Sequence, residues 1–403
     1  MSELDVARIA HYWLREQVNT KANYGVVPGS GTPMTLNLVS ESHVGDTVDK
    51  TSATAKANLL TGATRRTGIS GSGGIDVEMA PGSQMDEMLE VGIGGIWSAD
   101  LGISSTDIQF IASDNSLNAV GSDLDNVLPY TWLQILDTDN PLNTGRAWVT
   151  SKPAANKAIC AYASFVDEAA AAATVRIFSK RVQNGTDYIS SSLERHHTDA
   201  TATPFQGYTG LVCQSFELTM NAQDIITAKF DFVSKGPTAR SATSIFDALP
   251  TPSAPEVIVD STSDASNHMR AFRSNGALDG NVMKFVVKHD HNVTPIPRCQ
   301  ELTVSGMSPG TKKLSGSLDG YLVEADGRPT RAFSYTPDEF HVEIVPDAGP
   351  IYVVTVFRAK FSGLGDTPKD GNEGPVNLNL TWNGEESPSA TNVWLQVCSF
   401  PQS

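Results

Sequence analysis

Residues 64–79 read TRRTGISGSGGIDVEM, and residues 311–325 read TKKLSGSLDGYLVEA. Both carry a basic pair, a Ser-Gly-Ser and an acidic-ended strand in the same order. A second echo follows each: Thr227-Ala228-Lys229-Phe230 in the first half and Arg358-Ala359-Lys360-Phe361 in the second. Self-similarity in a fixed order marks a repeated structural unit. The chain is therefore expected to be mainly β and internally duplicated, with each Ser-Gly-Ser making a turn between strands.

Around these anchors most of the sequence reads as strand. Residues 174–178, 216–220, 228–232, 284–288 and 352–357 are rich in β-branched or aromatic residues, and several alternate apolar with polar as half-buried strands do. Two helices are expected. Leu4, Ala7, Ala10, Trp13, Leu14 and Val18 fall near helical spacing, which predicts an amphipathic helix over residues 3–18. Met85, Met88 and Leu89 share one face of a second helix, which Gly92, Gly94 and Gly95 stop. The segment from Glu41 to Leu60 is rich in Ser, Thr, Asp and Lys, offers little to bury, and is expected to be a flexible loop.

Pro250, Pro252 and Pro255 stiffen the segment between the halves. The expected organisation is an N-terminal helix and linker over 1–34, a first β unit over 35–245, a Pro-rich connector over 246–256 and a second β unit over 257–403. The first unit holds a long insert near residues 97–175 that the second lacks.

The chain of 403 residues is long enough for two or more substantial cores. Its 40% hydrophobic and 18% charged content describes a soluble globular protein. Lys and Arg number 29 against 45 Asp and Glu, a net charge of −16, so the surface on average repels phosphate backbones. Glu3, Asp5, Arg8, Arg15 and Glu16 interrupt the N-terminus as a secretory h-region, and no stretch approaches a membrane span. A cytoplasmic origin follows as an expectation. Cys160, Cys213, Cys299 and Cys398 are widely spaced and read as buried free thiols.

Sites of chemistry are weak. Gly68-Ile69-Ser70-Gly71-Ser72 misses the nucleophile elbow because Ser72 stands at the last glycine position. His289 and His291 would share one strand face, as a metal pair would, yet no third ligand has motif spacing, and a solvated strand end accounts for them. The same holds for His196-His197 beside Asp199. Asp123, Asp125, Asp137 and Asp139 lack the glycine and terminal glutamate of a calcium loop and read as turn formers. No phosphate-binding glycine loop or dinucleotide fingerprint is present. The expectation is a non-enzyme with no cofactor and no metal.

Several motifs resemble a known family in their order. Ser40-Glu41-Ser42, then Gly71 to Met79, the helix Met85 to Leu89 and Gly94-Gly95-Ile96-Trp97 are similar to the opening of tail tube proteins of long-tailed, non-contractile bacteriophages. Phe205 to Tyr208, Phe216-Glu217-Leu218 and Ile226 to Phe230 resemble that family's middle strands; Gly316 to Tyr321 and Phe357 to Phe361 resemble its second half. The resemblance implies β-sandwich units with a flanking helix whose inner strands join around a channel. It implies a structural virion protein, assembled in the host cytoplasm, whose partners are copies of itself and other tail proteins. DNA would pass through without specific binding, and no membrane is involved. Three chains would complete a six-unit ring if both units line the channel; six would be needed if one does. The Glu41 to Leu60 loop would order against the next ring.

A second reading is a tandem β-sandwich binding module or adhesin, with Trp148, Trp382 and Trp394 either exposed for binding or packed in cores. For the tube reading, Asp76 and Glu78 alternate with Ile75, Val77 and Met79 and are the leading candidates for the channel wall. Asp319 and Glu324 lie in the matching region of the second repeat, but their odd spacing puts them on opposite faces of a regular strand. An outer solvated face explains all four equally well.

Overall fold

The computed structural model describes residues 9–15, 24–36, 38–51, 64–80, 82–170, 174–186, 188–198, 200, 202–221, 224–254, 268–274, 277–278, 282–297, 302–321, 337–345, 349–367, 377–386 and 393–401. Glu324, Cys299, Asp199, residues 52–60 and the ends of the expected first helix lie outside the described residues.

The chain opens with strands β1 (Ile9–Arg15), β2 (Met34–Thr35), β3 (Leu38–Glu41), β4 (Val44–Thr51) and β5 (Thr64–Glu78). Two expectations fail here. Residues 9–15, expected to be helical, form β1, because Ile9, Tyr12 and Trp13 suit a pleated surface and Trp13 is fully buried in the main core. The described part of the expected loop is largely strand, since Val44 to Thr51 pairs along Ser72 to Thr64 of β5. A long strand with open backbone groups on one side overrides the polar composition of its partner.

Helix α1 (Ser83–Ile93) follows as expected. It buries Met85, Met88 and Leu89, and ends at Gly94, whose φ of 75° is the left-handed conformation that glycine adopts freely. Glu90 inside it pairs with Arg15 of β1 and accepts from the Trp97 backbone N–H at 2.8 Å. Gly92 lies against aromatic rings of the sheet: a β-carbon there would stand 2.7 Å from Phe230 and 2.9 Å from Phe216.

The insert is a sheet of its own. β6 (Ile103–Ser105), β7 (Ile108–Ile111), β8 (Ser116–Ala119), β9 (Thr131–Leu136), β10 (Gly145–Ala154), β11 (Lys157–Ala161) and β12 (Val175–Phe178) assemble in the order β6-β12-β9-β10-β11-β8-β7. Ile108, Phe110, Leu117, Leu133, Val149 and Ile177 form its separate core.

The first half closes with β13 (Lys180–Gln183), β14 (Ser190–His197), β15 (Phe205–Asn221) and β16 (Thr227–Ser234). The second contains β17 (His268–Ser274), β18 (Ala277–Leu278), β19 (Val282–Asp290), β20 (Thr294–Ile296), β21 (Gly306–Ser308), β22 (Lys313–Tyr321), β23 (Asp338–Val345), β24 (Ile351–Thr367), β25 (Asn377–Gly384) and β26 (Leu395–Phe400).

The pairings repeat. β5 lies between β4 and β16, and β22 lies between β19 and β25. β16 continues to β15 as β25 continues to β24. β14 joins β15 to β1 as β23 joins β24 to β17, and short β2 and β18 flank β1 and β17. Both 17-residue strands, β15 and β24, change partners midway at a register shift, where a bulge bends the strand. The two series meet where β15 pairs antiparallel with β19, giving one continuous run β4-β5-β16-β15-β19-β22-β25-β24.

This topology keeps the first echo and dissolves the second. Both Ser-Gly-Ser triplets sit within equivalent strands, β5 and β22, and neither is a turn. The residues Thr227 to Phe230 lie on β16, whereas Arg358 to Phe361 lie on β24, which takes the place of β15. Their likeness is the alternation of any half-buried strand.

Candidate functional site

One face of the continuous sheet is apolar and carries α1; the other is polar. On β5 and at the residue after it, Ile75, Val77 and Met79 are buried while Asp76 and Glu78 are half-buried on the opposite side. The same alternation holds on β16, where Ala228, Phe230 and Phe232 are buried and Lys229 is exposed, and on β19, where Phe285, Val287 and His289 are buried between Lys284, Lys288 and Asp290.

Register places the polar side chains in rows. Asp76 stands opposite Lys229, Lys229 opposite Glu217, and Glu217 opposite Lys288, so charge alternates across four strands. Lys284 stands opposite Asp319 in a parallel row. Ser40 donates to the Asp76 carboxylate at 2.6 Å, and Ser215 to Asp231 at 2.8 Å. Burial pushes the Asp319 carboxyl up, with Lys284 opposing the shift. Opposite charges on facing strands each contribute on the order of 0.2–1 kcal/mol. Asp76, Glu78, Glu217, Asp231, Asp290 and Asp319 on this face are set against Lys229, Lys284, Lys288, Lys313 and Lys360. Charge in these rows is therefore nearly balanced, in contrast to the −16 of the chain, with Asp46 of β4 a further carboxylate at the edge of the run.

Asp76, Glu78 and Asp319 thus share one face with each other. The alternating residues Lys229, Glu217, Lys284 and Lys288 were legible as polar positions of strands, but register alone brings them beside the carboxylates.

The run is open at both ends. β4 has β5 as its only partner among the described strands, and β24 beyond Ala359 has only β25. Unpaired strand edges are templates for pairing with another chain.

The weaker candidates resolve differently. His289 and His291 do share a face, with ring centroids 4.3 Å apart, but both are buried, so the expected solvated strand end is overturned. Nε2 of His291 lies 2.8 Å from the Gly92 carbonyl at the end of α1. No three metal-ligating side chains gather among the described residues. Ser70 and Ser72 lie mid-strand, and Ser72 donates to Asp46 at 2.8 Å. A serine that sequence did not flag, Ser234, has its Oγ 2.9 Å from His43 Nε2. Its hydroxyl is fully buried, His43 Nδ1 has no acceptor, and Glu41 is engaged by Arg195, so no catalytic relay forms.

Asp137 pairs with Arg176 and Asp123 accepts from Ser105, so both carboxylates are taken up by partners distant in the chain. Trp148 and Trp382 are buried and Trp394 packs against the main core, which removes them as exposed binding aromatics. Cys160, Cys213 and Cys398 are buried free thiols. No helix among the described residues is long and apolar enough to cross a membrane.

No curated protein matches the chain. A mainly antiparallel duplicated fold with open edges agrees with what a family comparison finds: the profile of the phage tail tube proteins matches residues 17–384, and the chain belongs to that family.

Proposed function

We propose that copies of this chain join edge to edge into rings, that the rings stack into the tail tube, and that the genome leaves through the channel along the polar face of the continuous sheet. The observation that carries this reading is the internal junction of β15 with β19. There the first unit's long strand pairs with the first inner strand of the second unit. The open edge of β24 and the open edge of β4 are the same two strand types. An identical junction between chains would remove both edges by closure.

Since each chain supplies two such units, three chains give a six-unit ring. Other tail proteins would bind the ends, and the role is structural, with no reaction performed. The near balance of charge supports a wall over which phosphates slide, because the described lysines of this face are matched by carboxylates rather than gathered into a basic patch. Asp76, Glu78 and Asp319 belong to that wall in this reading.

Electron microscopy of the concentrated chain tests it: tubes of uniform width are expected. Asp46→Pro and Thr47→Pro sharpen the test, because successive N–H groups of β4 point alternately to β5 and to the open side. One of the two variants should fold normally yet stay monomeric. Folded variants that both form tubes would remove β4 from the assembly contact.

A further inference from the structure

The insert meets the second half of the chain across a cleft of about 320 Å³, within the usual range for a small-ligand site. Two arginines line it. Arg146 of β10 donates through Nη2 to Glu343 of β23 at 2.7 Å, so that pair carries no net charge. Arg273 of β17 lies over Tyr162, its guanidinium carbon 5.5 Å from the ring centroid, and no carboxylate pairs with it among the described residues. The Nε of Arg273 is shielded from water and has no acceptor, and the Nε of Arg146 is in the same state.

A guanidinium cannot relieve such a position by losing its proton. The Arg273 guanidinium, partly exposed in the cleft wall, therefore keeps a charge that no described carboxylate compensates, and an anion entering the cleft would meet it through the Nη groups while the shielded Nε stays covered. Tyr162 stands at φ 64°, a conformation that a bulky residue adopts only under constraint, so the wall beneath Arg273 is held in place. Ser164 is an exposed lining residue and brings a hydroxyl, whereas the Thr144 hydroxyl donates to Thr138 Oγ1 at 2.7 Å, since Thr138 gives its own proton to the Asn140 carbonyl.

We infer that this cleft binds a single carboxylate carried on a small polar body, with Arg273 as the cationic anchor and the Ser164 hydroxyl as a neutral contact. One charge is favoured over two, because Arg146 is already held by Glu343 and Arg273 alone remains to meet an anion. A hexuronic acid and an acidic side chain of an adjoining copy offer the same chemistry.

The test follows the arginine Nε–H resonances of the full chain while sodium glucuronate, glucose or inorganic phosphate is added. Glucuronate should shift the Arg273 signal saturably in the millimolar range, with glucose and phosphate at least about tenfold weaker. Arg273→Gln should weaken glucuronate by about tenfold or more. Since Arg273 also packs on Tyr162, Ser164→Asp at the exposed rim is the second variant; it adds a repelling carboxylate without touching the core, and an equal loss is expected.

Binding to both free chain and assembled tubes identifies an external acid as occupant. Binding to the free chain that disappears on assembly identifies a carboxylate of the neighbouring copy. Equal responses to glucose and glucuronate, no saturation with the free chain, or undiminished binding in Ser164→Asp each overturn the inference. The free-chain measurement decides it even if no tubes form, in which case the ring reading fails alone.

Discussion

His43, His289, His291 and His341 are all buried with at most 1% exposure, and burial holds each imidazole neutral. Desolvation lowers His43 and His291 to about 4 and His341 to about 3, with His289 well below its ordinary value. The folded pKa values lie below the unfolded ones near 6.5. Their stabilisation is therefore complete above that pH and is lost as pH falls toward 4. Each neutral imidazole forfeits roughly 1.4 kcal/mol per pH unit in that window. Glu339 acts in the opposite sense: burial raises it to about 7, so protonation between that pH and its unfolded value favours the fold by one group. The histidines outnumber it, and Tm should drop steeply between pH 6.5 and 4, with a shallower drop in His291→Gln. A flat profile over that interval would show that these rings take up protons in the folded state. Sequence alternation was enough to put His289 and His291 on one face. Their burial was not legible, because Lys288 and Asp290 beside them are polar and the Gly92 carbonyl that receives His291 comes from a helix about 200 residues away.

The most informative elements are those whose local pattern and final state disagree. β1 reads as helix from its spacing, yet β14 and β2 hold it extended over its whole length and bury Trp13 completely. Tertiary pairing overrides a weak periodicity in a segment this short. Trp13→Ala should cost about 3–5 kcal/mol, read as a fall in the urea midpoint, because the indole packs 5.3 Å from the Phe232 ring. In contrast, α1 was readable, since its stripe of Met85, Met88 and Leu89 and its terminal glycines are local signals. The insert was visible only as a length mismatch between the repeats. Beside the Arg146–Glu343 pair, what fixes it to the body is a contact no linear pattern contains: Trp132 donates from Nε1 to His341 Nδ1 at 3.2 Å, and Trp148 and Tyr162 pack around the same ring. A tryptophan N–H only donates, so the imidazole proton sits on Nε2, toward Glu339 at 3.5 Å. His341→Ala combined with Glu343→Gln removes the centre of this joint and its ion pair while leaving the insert's separate core intact. Limited proteolysis should then release residues near 97–180 as a resistant fragment. Cleavage equal to wild type would mean that the aromatic packing suffices alone.

For the whole molecule, the sequence suggests an acidic wall, but the register places Asp76 in a row with Lys229, Glu217 and Lys288, where charges alternate. The carboxylates described in these rows are nearly matched by lysines. Two properties of the proposed wall can therefore be separated, its net charge and its pattern. Asp76→Lys with Glu78→Lys changes both: the face gains four positive charges per chain, and the new residue 76 cation stands opposite Lys229, a like-charge contact costing on the order of 1 kcal/mol or less. Tubes should still form, since neither side chain enters the core or the open edges. DNA ejection should slow or stall, because each added cation offers a phosphate a partner. The exchange Asp76→Lys with Lys229→Asp supplies the control. It reverses the pair and keeps the net charge and the attraction between positions 76 and 229; residue 229 then meets Glu217 as a like charge, at a cost on the order of 1 kcal/mol or less, and ejection should still proceed at the wild-type rate. If the first variant ejects normally from particles with intact tubes, the polar face does not meet the genome. If the charge-neutral exchange stalls ejection as strongly as the double lysine variant, the order of charges governs passage, and the argument from net charge fails.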